Sequence, residues 1–449
     1  MNNRYEEREE LQSAALRPIL YSGRRFRWIG LILGIIVLLG AVAYGNQIFN
    51  GLGVTGLNND VFWGIYITNL VAFIGISYGG AIVSAILRLT NSAWRAPITR
   101  LAEAMAVAAL LVGALFPIID LGRPDHIWGL LTSPNLTSPV IWDVLAISTY
   151  LIATLLFFYL PLIPDLAVCR DSLGTRVGQW RRKVYSILAL GWQGLPGQVQ
   201  LLNRGTKIIS IIIIPLAVMV HSVLSWVFAV TSRPGWHSTI FGPYFVVAAL
   251  FSGVAAVVLV VAAFRKAYHL ERYIGEKQIR YLGYLMLVLG IMYLYFTFSE
   301  FLTEGYTLDA NTVPIMESLL LTNYAPLFWL FVVAAGIVPV LLVAIPKTRT
   351  VRGLVIASAL AVGGMWLKRF LILVPTMRQA LFPSATLGYA GSLTETAITL
   401  AAVAAIPLIL MLIFRIFPIL SIYEMEEVGA KETEKDLEGI PGLDRVRGE

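Results

Sequence analysis

The chain has 449 residues, of which 57% are hydrophobic and 14% charged, with a formal net charge of +7. A water-soluble chain carries about 25% charged residues, so this composition excludes a string of soluble domains and implies a polytopic membrane protein. One cysteine, Cys169, and four histidines exclude a disulfide framework, a cysteine zinc site and an iron–sulfur cluster held by this chain alone; no C-x-x-C-H haem-attachment pattern is present.

Met1 to Arg27 is polar and charged, without the apolar core of a signal peptide. Within it, Tyr5 to Leu20 reads either as an amphipathic helix lying on the membrane or as a solvated tail. Ten apolar stretches follow, at 28–46, 61–87, 101–120, 140–163, 208–231, 240–264, 281–303, 325–345, 353–375 and 396–422. Each matches the ~20 residues needed to cross a hydrocarbon core, so the chain is expected to be all-α with about ten transmembrane helices. Gly51-Leu52-Gly53-Val54-Thr55-Gly56 has the spacing of a dinucleotide fingerprint, but it lies in a short loop between spans and reads as a turn.

Lys and Arg in alternate loops number 28 on one side and 3 on the other. Such a bias places both termini in the cytoplasm. It also accounts for the net charge, which gives no support for nucleic-acid binding. The longest cytoplasmic connection, Pro164 to Lys207, contains Arg181-Arg182-Lys183 and Gly191-Trp192-Gln193 and reads as an interfacial or partner-docking segment. The outer loops hold the acids Asp60, Asp120, Asp125, Glu304, Asp309 and Glu317, a surface suited to an extracytoplasmic partner.

Spans 2–5 and 6–9 form two sets of four in parallel orientation, with small-residue runs at Gly75-Ile76-Ser77-Tyr78-Gly79-Gly80-Ala81 and Ser252-Gly253-Val254-Ala255-Ala256. Such runs permit close helix approach.

Ionisable residues inside a bilayer mark pathways and sites. His221 lies about 21 Å along span 5 from Lys207, with Ser222 beside it and Ser225 one turn on. It reads as a histidine hydrogen-bonded between helices, or as a proton relay or quinol contact. Asp143, near the outer start of span 4, either caps that helix or accepts a proton. Lys368 and Arg369 approach the outer end of span 9, where they either snorkel to the interface or pair with Glu300 or Glu395. Tyr78, Tyr293, Tyr295, Ser299 and Glu300 are further polar-lining candidates, while Trp63, Trp142, Trp226 and Trp329 read as interfacial anchors. Pro215 is the one evident mid-span breaker, which argues against the discontinuous helices of a secondary transporter.

Four runs together resemble the NrfD/polysulfide-reductase membrane subunits: Asp120-Leu121-Gly122-Arg123-Pro124, Ser138-Pro139-Val140-Ile141-Trp142-Asp143-Val144, His221-Ser222-Val223-Leu224-Ser225-Trp226, and Pro234 to Phe245. The last of them, which adds His237 as a candidate, is most similar to the ActF and ActC subunits of bacterial alternative complex III. The resemblance implies two four-helix bundles flanked by two further helices. That divides the chain into a tail (1–27), the first span and its outer loop (28–60), a first bundle (61–231), a second bundle (232–375), a last span (376–422) and a C-terminal tail (423–449). It further implies a multi-pass subunit of the bacterial inner membrane within a quinol:electron-acceptor oxidoreductase, supporting assembly and proton translocation coupled to quinol oxidation. Such a subunit binds no cofactor or metal alone. Its substrate class is quinol, menaquinol included, and its partners are membrane lipid, periplasmic iron–sulfur and multihaem cytochrome c subunits and a second NrfD-like subunit. The copy associated with quinol oxidation has histidine where this chain has Tyr78, which favours the ActF-like copy. The quinol-binding subunit and, in another class, a secondary transporter are the alternatives.

Overall fold

The computed structural model describes residues 2–92, 94–379 and 388–429. Among them ten helices are long and apolar enough to cross a membrane: Arg24–Asn50, Ile65–Leu89, Ala96–Asp120, Pro139–Arg176, Pro196–Ala229, Phe241–Tyr268, Glu276–Thr307, Ala325–Ala344, Val351–Met377 and Leu393–Ile416. These are spans 1 to 10. Several run beyond their apolar windows because Arg, Lys, Gln and Glu propagate a helix readily. Span 4 continues to Leu173, where Gly174 takes φ +45°, and span 5 begins at Pro196. Much of the connection expected after Pro164 is therefore helical.

Span 2 packs on span 3, span 3 on span 4, span 4 on span 5, and span 5 returns to span 2. Spans 6 to 9 close a second ring in the same order. The fold is thus two four-helix bundles, flanked by spans 1 and 10, which pair with each other, span 10 leaning on span 3. Leu31, Ile35, Leu38 and Val42 of span 1 are exposed, as lipid-facing side chains would be.

The bundles meet where spans 2 and 6 cross. A Cβ at Gly79 would collide with the Gly253 backbone, and one at Gly253 with Gly79. Dispersion between close backbones replaces the hydrophobic driving force that lipid cannot supply. Gly79→Val is expected to cost about 1–3 kcal/mol by overpacking and to lower the thermal midpoint in detergent, whereas Gly34→Ala, with nothing near its Cβ position among the described residues, should leave it unchanged.

The N-terminal residues form a helix, Asn2–Leu20. It is neither a free tail nor a helix lying on lipid alone, because Leu11, Ala15, Leu16 and Ile19 are buried against the protein. The Ile419 amide donates to the Ala15 carbonyl at 3.3 Å, Arg415 donates to the Pro18 carbonyl at 2.7 Å, and Arg8 pairs with Glu426 at 2.8 Å. Both described chain ends therefore lie together on one face, called here the basic face. The run Gly51 to Gly56 is a loop opening on a short turn at Leu52–Val54, and no strand occurs among the described residues.

Pro215 lies inside a continuous helix. The mid-span irregularity is instead in span 8, where Val332–Ile337 forms a wide π-helical turn. Pro339 has no N–H to offer the Ala335 carbonyl, which is a sufficient cause.

Candidate functional site

Span 2 carries Ser77 and Tyr78 into the centre of the first bundle. The Tyr78 ring lies 4.8 Å, centroid to centroid, from the His221 imidazole of span 5. Both side chains are buried. The His221 ring nitrogens make no well-formed hydrogen bond among the described residues; the Ala217 carbonyl, one turn back, is the acceptor beside them. Ser225 shares this buried face, but its hydroxyl donates to the Ser222 carbonyl at 2.7 Å and is turned onto its own helix. Ser77 donates to the Tyr150 hydroxyl of span 4 at 3.4 Å, with Thr154 beside it.

Asp143 stands two turns before Tyr150, on the same side of span 4. Its Oδ1 is buried without a hydrogen-bond partner among the described residues. It caps nothing, because the helix begins at Pro139 behind Ser138, four residues earlier. Of the two readings of Asp143, the structure removes the helix cap.

In the second bundle Lys368 meets Glu300 at 3.2 Å, and both are buried. The rings of Tyr244, Phe301 and Phe331 surround the ammonium at 5.6, 5.4 and 5.7 Å. Lys368 is thus an interior ion pair and does not snorkel. The Tyr244 hydroxyl bonds Thr297 at 2.8 Å and Tyr293 at 3.3 Å. Arg369 turns towards the bundle crossing, where its guanidinium donates to Ser252 Oγ at 3.0 Å and to the Met365 carbonyl at 2.9 Å, next to Gly75. Glu395 takes neither base. It closes a capping box with Ser392 and accepts from Tyr389 at 2.5 Å and from the Gly56 amide at 2.7 Å. Tyr295 is exposed on the outside of span 7, and half-buried Ser299 donates to the Tyr295 carbonyl at 2.9 Å; neither joins this group.

His237 is exposed on the face opposite the basic one, with Nδ1 3.0 Å from the Ala229 carbonyl, and joins neither buried group. Its neighbours explain the run in which it sits. Trp236 is buried and donates to the Ile372 carbonyl at 3.0 Å, and Arg233 donates to the carbonyls of Asp60, Gln379 and Met377 at 2.8, 3.0 and 3.3 Å. The loop fastens the ends of spans 5 and 9 away from the basic face and the 1–2 connection together.

A third group, at the basic end of the first bundle, is one that residue types alone did not reveal. Glu103 of span 3 accepts from Ser84 at 2.6 Å and from Arg88 at 2.7 and 3.0 Å. Arg88 also pairs with Glu424, which accepts from Thr99 at 3.2 Å. Arg100 bonds Asp165 at 2.7 Å with both side chains fully buried, and the Tyr423 amide donates to Asp165 at 2.9 Å. In the sequence Arg88, Arg95 and Arg100 count simply as loop charges. The signal available was Arg100-Leu101-Ala102-Glu103, a base and an acid one helical turn apart within an otherwise apolar run. A cavity of about 270 Å³ lies beside this cluster, lined among others by Arg88, Arg95, Asn203, Lys207, Tyr423 and Glu424.

Burial pushes the Glu424 carboxyl up, but Arg88, Arg100 and Arg95 together outweigh it and hold the group below its usual range. A depressed carboxylate stabilises the fold above its unfolded pKa of about 4.3 and loses that contribution as pH falls through its folded value. Amide hydrogen exchange across residues 421–427 is therefore expected to accelerate, relative to the core, on acidification below about pH 4. Glu424→Gln should remove the acid dependence; a mutant that kept it would show that another group governs the segment.

Residues 53–380 match the family of NrfD, the polysulphide reductase. The chain belongs to the NrfD family. Its relatives include a Halobacterium salinarum protein inferred to be a dimethyl sulfoxide reductase membrane subunit, 31% identical and covering 78% of each chain. A selenate reductase subunit of Mesobacillus selenatarsenatis is 25% identical over 77% of this chain and 80% of its own. The Hdr-like menaquinol oxidoreductase integral membrane subunit of Archaeoglobus fulgidus is 27% identical over 77% and 78%. Two of these relatives are named as membrane subunits, and all three as subunits of reductases or oxidoreductases. The matched region holds both bundles and leaves spans 1 and 10 outside it.

Proposed function

We propose that this NrfD-family chain is the integral membrane subunit of a quinol-linked oxidoreductase complex, and that its first bundle conducts protons while the redox centres sit in partner subunits. The observation that carries the proposal is a succession of buried polar groups through that bundle: Asp143, then Tyr150 with Ser77, then Tyr78 with His221, then Ser84 with Glu103, Arg88 and Glu424. Seven residues separate Asp143 from Tyr150 and Ser77 from Ser84, a rise of about 10 Å in each case, which mobile water would bridge. A neutral imidazole accepts a proton on one nitrogen and releases one from the other, and hydroxyl groups both donate and accept. The path would open on the cytoplasm at the basic face, where the charge bias places both termini.

Quinol is the substrate class of the whole complex in this reading. The crevice between the bundles beside Tyr244, Tyr293, Lys368 and Arg369 has room for about 10 Å³. That is about one water, and this polar group is given no part in the proton path. The finer identity is the ActF-like subunit of alternative complex III in a bacterial inner membrane. Purification from native membranes tests it: periplasmic iron–sulfur and multihaem cytochrome c subunits and a second NrfD-like chain should accompany this one. A reductase catalytic subunit in their place would move the chain to a reductase complex. A chain that emerges alone and carries a solute would be a secondary transporter and end the proposal. Reporter fusions after Arg182 and near Asp309 should read cytoplasmic and extracytoplasmic respectively; the C-terminal tail beyond residue 429 lies outside the described residues.

A further inference from the structure

Between spans 4 and 5, on the basic face, Gln179–Leu188 forms a helix of ten residues that the proton path does not use. It is held rigidly: Tyr185 is buried and donates to the Ile416 carbonyl at 2.8 Å, and Tyr159 donates to the Leu188 carbonyl at 2.7 Å. Successive residues on a helix turn by about 100°, which sorts the remaining side chains into two sectors. Gln179, Arg182, Lys183 and Ser186 share one sector and, with Arg170, line an open cradle of about 480 Å³. Trp180 and Ile187 lie about a quarter-turn away, 58% and 60% exposed, followed by Leu190 at 67%.

A helix on a soluble surface would not leave a tryptophan and two aliphatic side chains in water beside a basic strip. A helix at a bilayer surface would, because its apolar sector enters the acyl boundary while its basic sector meets the headgroups. We propose that this helix is a docking site for anionic phospholipid, with Arg182 and Lys183 receiving the phosphate and Trp180 and Ile187 seated among the upper acyl carbons. Arg170 borders the cradle but is held by Asp171 at 2.7 Å and by the Trp192 carbonyl at 3.1 Å, so it shapes the site more than it charges it. Charge complementarity selects the occupant: among the described residues no acidic side chain lines the cradle, and the exposed apolar sector calls for a ligand that carries hydrocarbon next to its phosphate. The docking site rests on the membrane-spanning fold and stands whether or not protons pass through the first bundle.

The complex, stripped of endogenous lipid in detergent, is incubated with equal amounts of phosphatidylglycerol and phosphatidylcholine, and bound lipids are counted by native mass spectrometry. The intact complex should retain phosphatidylglycerol in preference. Arg182→Gln and Lys183→Gln should each weaken that retention about fivefold, and together about 30-fold, as expected for basic groups near an anionic surface. Trp180→Ala with Ile187→Ala should weaken retention of both lipids. No preference in the intact complex, or an unchanged preference in the charge variant, would overturn the proposal. So would a charge variant that keeps its lipid and loses a co-purifying cytoplasmic protein, since the surface would then belong to that protein.

Discussion

Replacing Arg100 by methionine is expected to destabilise the protein by about 3–5 kcal/mol, because it strands the Asp165 carboxylate inside the bundle end without its countercharge. Arg100 and Asp165 are both fully buried and 2.7 Å apart. The same guanidinium donates to the Pro161 carbonyl at 3.1 Å and to Ser421 at 3.3 Å, so its loss frees the start of the C-terminal segment as well. The double change Arg100→Met with Asp165→Asn removes both charges and keeps an acceptor for the Tyr423 amide. It should recover most of the loss, since a buried pair contributes little net stability while a lone buried charge costs much. Thermal midpoints of the two variants in one detergent decide the matter. A double variant as unstable as the single one would mean that Arg100 acts through packing and not through its charge.

His221→Phe and Tyr78→Phe should each slow proton transfer about 100-fold or more while leaving the complex assembled. Phenylalanine keeps an aromatic ring at the contact, where the two side chains lie 4.8 Å apart, and deletes the groups that exchange protons. Asp143→Asn removes the titratable oxygen at the end of the path away from the basic face and should act in the same direction. In reconstituted complex the readout is protons moved per electron. A fall in that ratio with turnover retained supports conduction through the first bundle. A raised KM or abolished turnover would instead place quinol at these residues. Normal stoichiometry and turnover in the Asp143→Asn, His221→Phe double variant would leave them structural.

Part of the site was legible from residue type alone. Lys368, Arg369, Glu300, His221 and Asp143 stand out because an ionisable group in an apolar run is costly wherever its helix points. Their partners were not legible. Lys368 had three open fates in the sequence, and only the rotation of spans 7 and 9 about their axes brings it to Glu300 at 3.2 Å and keeps Arg369 for Ser252. His237 stood within a distinctive run, yet the large side chains of that run that the fold buries are Trp236, Phe241, Tyr244 and Phe245. The Glu103–Arg88–Glu424 cluster joins residues up to 336 apart in sequence. No local pattern could relate the last segment of the chain to the ends of spans 2 and 3.

What the sequence by itself determined is what each segment decides alone. The length of every apolar run makes it a span, because a backbone in lipid must satisfy its own hydrogen bonds. The 28 to 3 division of Lys and Arg sets the expected orientation, and the small residues at Gly75, Gly79 and Gly253 mark faces able to approach another helix. Only the tertiary structure decided which faces meet. Gly79 lies on Gly253, Tyr78 on His221 and the C-terminal segment in the mouth of the first bundle. In an apolar solvent nearly every face of such a helix is equally content to meet lipid, so the pairing is settled by close backbone packing and by the few buried polar groups that must find one another.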